Sequence, residues 1–364
     1  MSLIATGLSR RLGLELPLVQ APMAGGPTSP ELVAAVSAAG ALGSFGFAYT
    51  QPDEMKRAVA AVRAKTARPI GINLFVSPQP AAVGAAAQQP VLDALSPWYA
   101  EMGLPAPQPA QPPYAPDLDA QLAAVAEIRP AVFTVHLGDF PADRVQALKS
   151  LGMTLGGSAT TVAEAKRLES LGFDFVIAQG GEAGGHRGTW TRDPADAMTG
   201  TLALTRMLVR ALRIPVVAAG GIMDGAGVAA VLALGAEAAQ LGTAFVPCPE
   251  SGAPAVHKQA LLDAAEDDTR VTEKFSGKPA RGLANRFMRE AAAFPQIAFP
   301  VQNALTGKLR QASAKAGKGD FYALWAGQAV PLARALPAAE LVAEIGRETV
   351  AALRAGAALV QAGN

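Results

Sequence analysis

The stretch Pro215-Val216-Val217-Ala218-Ala219-Gly220-Gly221-Ile222, followed by Gly225–Leu234 and then Ala236–Ala244, decides how this chain folds. A short, continuously apolar run ends in paired glycines. A segment of helical length follows, and a second apolar run returns. A strand covered on both faces reads this way, because neither face needs polar residues. Two such strands joined by one helical segment make a parallel βαβ unit. The same rhythm runs back towards the N-terminus through Leu18–Met23, Ala41–Phe47, Ile70–Val76, Ala131–Leu137, Met153–Ala159 and Phe173–Gln179. Helical patterns separate these runs at Ser29–Ala39, Pro52–Ala64, Leu118–Glu127 and Thr161–Leu171. Ser29-Pro30-Glu31 sets a capping hydroxyl before a first-turn proline, and Thr161 precedes Glu164 at capping-box spacing. Eight strands in β/α alternation predict an α/β chain closed as a (β/α)8 TIM barrel, with a doubly wound open sheet as the alternative. No short repeat suggests a solenoid.

Two segments interrupt the rhythm. Ser77–Asp117, rich in Pro, Ala and Gln, reads as an elaborated loop after strand three, with a short helix around Val91–Met102. Residues 247–337 read as an added, mostly helical lobe after strand eight, placed to cover the C-terminal face of the barrel and contact substrate. Ala338–Ala357 carries an amphipathic pattern suited to the last outer helix. The expected division is therefore a barrel over 1–246 and 338–364, with the lobe between.

Composition narrows the function. The 364 residues are 50% hydrophobic and 17% charged, with 31 basic and 30 acidic side chains and a net charge of +1. This neutral balance argues for small-molecule chemistry, with neither nucleic acid nor membrane as partner. Met1–Pro17 lacks the apolar run of a secretory signal, and Gly225–Val246 is too interrupted to span a membrane, so the expected location is the cytoplasm. The single cysteine, Cys248, excludes an intrachain disulfide and reads as a buried thiol. The three histidines are too widely spaced to suggest a metal site.

The chemistry concentrates at the strand ends. After strand six comes Gln179-Gly180-Gly181-Glu182-Ala183-Gly184-Gly185-His186-Arg187-Gly188, a glycine density suited to a backbone that passes close to a flat ligand. His186 within it can bond a ligand or move a proton near neutral pH. Gly220-Gly221 after strand seven and Gln240-Leu241-Gly242-Thr243 after strand eight occupy the customary phosphate position of barrels, with the helix that follows adding its N-terminus. Gln20-Ala21-Pro22-Met23 closes strand one and Asn73 lies in strand three. The Asn73 and Gln179 amides and the backbone near Met23 suit the polar edge of a flavin. His136, at the end of strand four, is read equally as a substrate-orienting or a structural residue. His257 is expected at the lobe surface. Tyr322, Trp325, and Lys308 or Lys315 are candidates to line the lid, and Lys278 and Arg281 to attract a substrate carboxylate.

These residues together resemble the nitronate monooxygenase family, formerly 2-nitropropane dioxygenases. The likeness runs from about Leu14 to Phe245, and Tyr322-Ala323-Leu324-Trp325-Ala326-Gly327-Gln328 resembles a further family segment. Flavin enoyl reductases carry a similar histidine loop, but Arg187 and the Leu-Trp-Ala-Gly-Gln segment favour the nitronate enzymes. The resemblance implies FMN at Ala21, Pro22, Met23, Asn73, Gln179, Gly184, Gly185, Gly220, Gly221 and Gln240–Thr243, with His186 catalytic. It implies oxidation of an alkyl nitronate, propionate 3-nitronate above all, by O2 to a carbonyl compound and nitrite without NAD(P)H. The alternative is an NAD(P)H-dependent FMN reductase of quinones or enoyl thioesters on the same fold. A monomer and a homodimer are both compatible with the sequence.

Overall fold

The computed structural model describes residues 4–76, 82–193, 196–291 and 293–361. Eight parallel strands form one sheet: β1 (Leu18–Gln20), β2 (Gly43–Gly46), β3 (Ile70–Phe75), β4 (Val132–His136), β5 (Thr154–Ala159), β6 (Phe175–Gln179), β8 (Val216–Ala219) and β9 (Ala238–Leu241). The label β7 belongs to Gly185–His186, β10 to Thr269–Thr272 and β11 to Ala280–Leu283. Sheet order is β1-β9-β8-β6-β5-β4-β3-β2. The two ends of that order meet, because Val19 bridges Leu42 in parallel. There the Gln20 N–H donates to the Leu42 carbonyl and the Leu42 N–H to the Leu18 carbonyl, both at 2.9 Å. This closure makes the sheet a barrel and rules out the open doubly wound alternative.

The strands are shorter than the apolar runs, and at β1 and β9 the residues lost include those at the barrel mouth. β1 stops at Gln20, and three residues on the Met23 N–H turns to Thr28 Oγ1 at 2.9 Å. β9 stops at Leu241, and Thr243–Phe245 coil into a short 3₁₀ helix. The floor is closed by the helix Gly7–Arg11, whose buried Leu8 packs with Val19, Leu42, Val132, Phe175 and Val217. The C-terminal helix Ala338–Gln361 runs further than its sequence pattern suggested and packs against helices Pro30–Ala38 and Gly225–Ala233. Among the described residues no helix is long and apolar enough to cross a membrane.

The segment after β9 holds helices Ala255–Leu262, Arg286–Glu290 and Val301–Lys315, and also the hairpin β10–β11. That hairpin is the departure from a helix-dominated expectation, and it has a use. β7, inside the histidine loop, pairs with β11 through Ala280–His186 and Arg281–Gly185, so the lobe is stitched to the loop by backbone hydrogen bonds. The lobe core joins Phe275, Phe287, Phe294, Leu305, Leu309 and Phe321 to Val91, Leu92, Leu95 and Tyr99. The last four come from the helix Ala85–Glu101, which is longer than the Val91–Met102 piece expected. The loop after β3 therefore shares one apolar core with the lobe; residues 77–81, at its start, lie outside the described residues.

Candidate active site

The loop after β6 is held by charges turned inward. The buried Arg187 donates from Nη1 to Gln179 Oε1 (3.1 Å) and the Gly180 carbonyl (2.6 Å), and from Nη2 to the carbonyls of Gln179 (3.1 Å) and Ala197 (2.8 Å). Glu164 Oε1 accepts from Thr189 Oγ1 (2.7 Å) and the N–H groups of Trp190 (2.9 Å) and Thr191 (3.2 Å). Its Oε2 accepts from the Thr160 N–H (2.7 Å) and hydroxyl (2.9 Å). Burial opposes ionisation of this carboxyl, but hydrogen bonds from Trp190, Thr160 and Thr189 outweigh it and lower its pKa. Thr161 does cap its helix, accepting the Glu164 N–H at 3.2 Å. The reciprocal half of the capping box is absent, because the Glu164 carboxylate serves the histidine loop instead. Glu182 likewise accepts the Thr201 N–H (2.8 Å) and hydroxyl (2.8 Å), capping helix Thr201–Ala211.

The Tyr322–Gln328 segment lies against this loop. A Cβ on Gly184 would stand 2.6 Å from the Ala326 carbonyl carbon, so only glycine permits the approach. The Gln328 N–H donates to the Glu182 carbonyl, and the Gly327 N–H to Thr243 Oγ1, each at 2.9 Å. Three stretches far apart in sequence thus converge on one corner.

His186 occupies an aromatic enclosure. Its ring centroid lies 5.8 Å from Phe75, 5.6 Å from Phe299 and 5.8 Å from Trp325. Nε2 lies 2.9 Å from Ser276 Oγ, which lies in turn 3.1 Å from the Lys278 carbonyl. That carbonyl can only accept, so it takes the Ser276 hydroxyl proton and leaves the hydroxyl oxygen to accept from His186. This places the imidazole proton on Nε2 and the free lone pair on Nδ1. The ring is half-buried, and desolvation, with the neighbouring imidazole of His136 and the cations Lys278 and Arg310, pushes its pKa down to about 3. The imidazole is therefore neutral at neutral pH.

His136 faces the His186 carbonyl through Nε2 at 3.3 Å, and the Gln179 amide donates to the same carbonyl at 3.0 Å. Burial lowers the His136 pKa to about 4. With Nε2 committed to a carbonyl, His136 holds the histidine loop in register. Gln179 is similarly occupied, since its Oε1 also accepts the Gly188 N–H at 2.7 Å. Only one of its amide hydrogens remains for a ligand.

The glycine turns sit across the mouth. Gly220 (φ 122°) and Gly221 (φ 68°) adopt backbone that side-chain-bearing residues avoid. The N–H groups of Gly221 and Gly242 donate to no protein acceptor among the described residues. Two N–H groups in the first turn of helix Gly225–Ala233 are already bonded within the protein. Asp224 accepts the Gly227 N–H and Glu348 the Gly225 N–H, both at 2.8 Å, so carboxylates already occupy that end. Nearby, Ala21 donates its N–H to the Leu241 carbonyl at 2.8 Å, and the Leu241 side chain is buried in the core. Pro22 and Gln240 line the cavity inside the barrel, and the Met23 sulfur would lie 3.9 Å from a Cβ on Gly242. The buried Asn73 donates from Nδ2 to Thr134 Oγ1 at 2.9 Å.

Other expectations need correction. His257 is buried, bonded to the Trp325 carbonyl at 3.1 Å and edge-on to Tyr322, because helix Ala255–Leu262 packs beneath that segment. Lys308 and Lys315 are exposed, and the cation their helix turns inward is Arg310. Arg281 is committed to the Gly181 carbonyl (3.0 and 3.2 Å) and Thr269 (3.3 Å). Lys278 lies 3.4 Å from the Thr189 carbonyl and close enough to His186 to lower its pKa. Cys248 is buried, its thiol pushed up to about 12 by desolvation, and is unreactive. Ser276, Phe299 and Arg310 escaped the sequence reading; all three lie in the lobe, where nothing local marks them.

A closed parallel barrel with a histidine loop and a glycine cradle at its C-terminal mouth defines a (β/α)8-barrel enzyme. Comparison with known proteins identifies which one. The chain belongs to the nitronate monooxygenase family, whose model matches residues 9–348. It is 46% identical over 349 residues to a nitronate monooxygenase of Paraburkholderia phytofirmans, with 93% of each chain covered. It is 43% identical over 345 residues to a nitronate monooxygenase of Pseudomonas aeruginosa, with 93% of this chain and 98% of that one covered. Among solved structures it is similar to the nitroalkane oxidase of Streptomyces ansochromogenes, with TM-score 0.89, 42% identity, and 96% and 99% of the two chains covered.

Proposed function

We propose that this enzyme oxidises alkyl nitronates, propionate 3-nitronate in particular, with O2 to a carbonyl compound and nitrite, using FMN and no NAD(P)H. The observation that carries the reading is His186, neutral and enclosed by Phe75, Phe299 and Trp325, at the same barrel mouth as the N–H groups of Gly221 and Gly242, which find no protein acceptor among the described residues. That cradle fits a phosphate, and a Cβ at Gly221 would come 3.1 Å from the Glu182 side chain. Gly220, Gly221, Gly242 and Thr243 would hold the FMN phosphate. Asn73, the remaining Gln179 hydrogen and the backbone of Ala21–Met23, Gly184 and Gly185 would hold the ring. When bound, FMN supplies the one-electron chemistry that a nitronate and O2 require.

The chain's own residues supply placement and proton handling. Ser276 leaves Nδ1 of His186 open, so that atom accepts the α-proton when a neutral nitroalkane is offered. When the anionic nitronate binds, its charge opposes the desolvation that depresses the imidazole pKa. Nδ1 then takes up a proton and donates it to a nitro oxygen. The aromatic walls and the lobe exclude water from the anion and strengthen that bond. In this reading residues 1–246 and 338–364 bind the cofactor, 247–337 meet the substrate, and the protein works in the cytoplasm as a monomer or homodimer.

Anaerobic mixing of the yellow holoenzyme with a nitronate, and separately with NADPH, tests the reading. Bleaching by the nitronate is expected. Fast bleaching by NADPH alone would favour the reductase alternative and overturn the assignment.

A further inference from the structure

The inside of a parallel barrel is ordinarily filled by layers of bulky branched side chains. Here two inward positions are glycine. A Cβ on Gly156 would stand 2.2 Å from the Phe175 ring, so that ring occupies the place of the missing side chain. At Gly71 the group leaning in is only the Ser44 hydroxyl, 2.5 Å from where a Cβ would stand. The barrel interior keeps a cavity of about 20 Å3, measured as the space open to the centre of a water-sized molecule. By that measure roughly 10–15 Å3 holds one water, so this cavity takes a single small molecule.

Its walls say which kind. Leu8 and Leu12 close it from the floor, and Leu42, Val132, Phe175 and Val217 surround its lower part. A buried water ordinarily makes about three hydrogen bonds. The polar side chains in the wall are those of Ser44, Thr134 and Gln240, and Thr134 already accepts from Asn73 Nδ2 at 2.9 Å. Such a wall holds a water poorly and suits a small apolar molecule. The upper end is made by Pro22, Gln240 and the Thr134–Asn73 pair, all at the mouth. The cavity therefore lies under the mouth, whereas His186, paired to β11 of the lobe, lies above it.

We propose that this cavity is a binding site for dioxygen, held beneath the mouth while the nitronate occupies the aromatic enclosure above. This rests on the nitronate reading and gives its second reactant a place. The nitronate is an anion and needs hydrogen-bond donors around it. Dioxygen is neutral, diatomic and a poor hydrogen-bond acceptor, so an apolar wall is the surface that retains it. Separate sites let both reactants be present together without displacing one another.

Dioxygen is paramagnetic and speeds the relaxation of methyl groups that it touches. Methyl NMR of the substrate-free holoenzyme, under pressurised O2 and then N2, reads this directly. The methyls of Leu42, Val132 and Val217 should relax faster under O2 than those of Leu208 and Val125, which are as buried but lie on helices outside the sheet. Equal effects on the two groups would overturn the site. Kinetics supply the second arm, as kcat/KM for O2 beside the anaerobic rate of reduction by nitronate. Val132→Ile adds a methylene to the cavity and should lower kcat/KM for O2 roughly tenfold with the anaerobic rate unchanged. Val217→Ile fills the space from another strand and should act alike, whereas Val132→Ala enlarges it and should keep the wild-type value. Unchanged kcat/KM for O2 in both filled variants, or equal losses in filled and enlarged ones, would refute the site and leave the nitronate reading intact. No O2 uptake by wild type with a nitronate would remove both.

Discussion

Two regions around His186 are built on opposite principles. The loop 179–191 is fixed by charges bonded to backbone: its own Arg187 to the carbonyls of Gln179, Gly180 and Ala197, and Glu164, from the helix before β6, to the N–H groups of Thr160, Trp190 and Thr191. The facing side of the lobe is made of rings, with one cation, Arg310, left without a counter-charge. In the first region charge fixes shape. In the second, shape is fixed by aromatic packing and charge remains available.

That contrast can be broken by mutation. Arg187→Ala should have the largest effect, a loss of about 3–5 kcal/mol of stability, since it strands several buried carbonyls and removes a fixed charge. Denaturant unfolding would show it, and a cost under about 1 kcal/mol would mean that the loop is held by its glycines and the lobe instead. Glu164→Gln keeps the size but loses the charged acceptor, and should cost about 2 kcal/mol by the same measurement.

Acid stability sharpens the comparison from the lobe side. Burial lowers the His257 pKa to about 4. An unfolded histidine binds its proton near pH 6.5. Between those values the unfolded state holds the extra proton, so stability is full above about pH 6.5 and falls as pH drops towards 4. His257→Phe should flatten the fall by about 1.4 kcal/mol per pH unit within that window. Thermal melts at stepped pH would reveal an unchanged slope if the ring is in fact solvated. The smallest effect belongs to Ser276→Ala, roughly tenfold in kcat for neutral nitroalkanes with about 1 kcal/mol or less in stability. A shifted pH–rate profile, corrected by Ser276→Thr, would separate tautomer control from a merely structural role.

The sequence made the barrel visible because buried parallel strands leave continuous apolar runs and their helices leave caps. Closure itself was not visible, since the Val19–Leu42 contact depends on strand stagger, which no local pattern encodes. The histidine loop stood out through glycine density. Its partners in the lobe did not, because Ser276, Phe299 and Arg310 become neighbours of His186 only through tertiary packing. Helix Val301–Lys315 carries Lys308, Arg310 and Lys315, and periodicity alone did not reveal which of these turns inward. His257 was misplaced because a lone histidine on an amphipathic helix usually faces water. Gln179 suits the edge of a flavin by its residue type, and only the folded loop shows that both its ends also hold the histidine loop.

The C-terminal helix Ala338–Gln361 has a consequence for the order of events during synthesis. It packs on the helix Pro30–Ala38, and its Glu348 holds the Gly225 N–H beside the glycine cradle. A ribosome releases the lobe before it releases this helix. The nascent barrel must therefore wait, with the faces of helices Pro30–Ala38 and Gly225–Ala233 uncovered, until residues 338–361 have emerged. Contacts of such sequence separation form slowly and leave apolar surface open to chaperones meanwhile. The helix Ala338–Gln361 closes over an element made long before it.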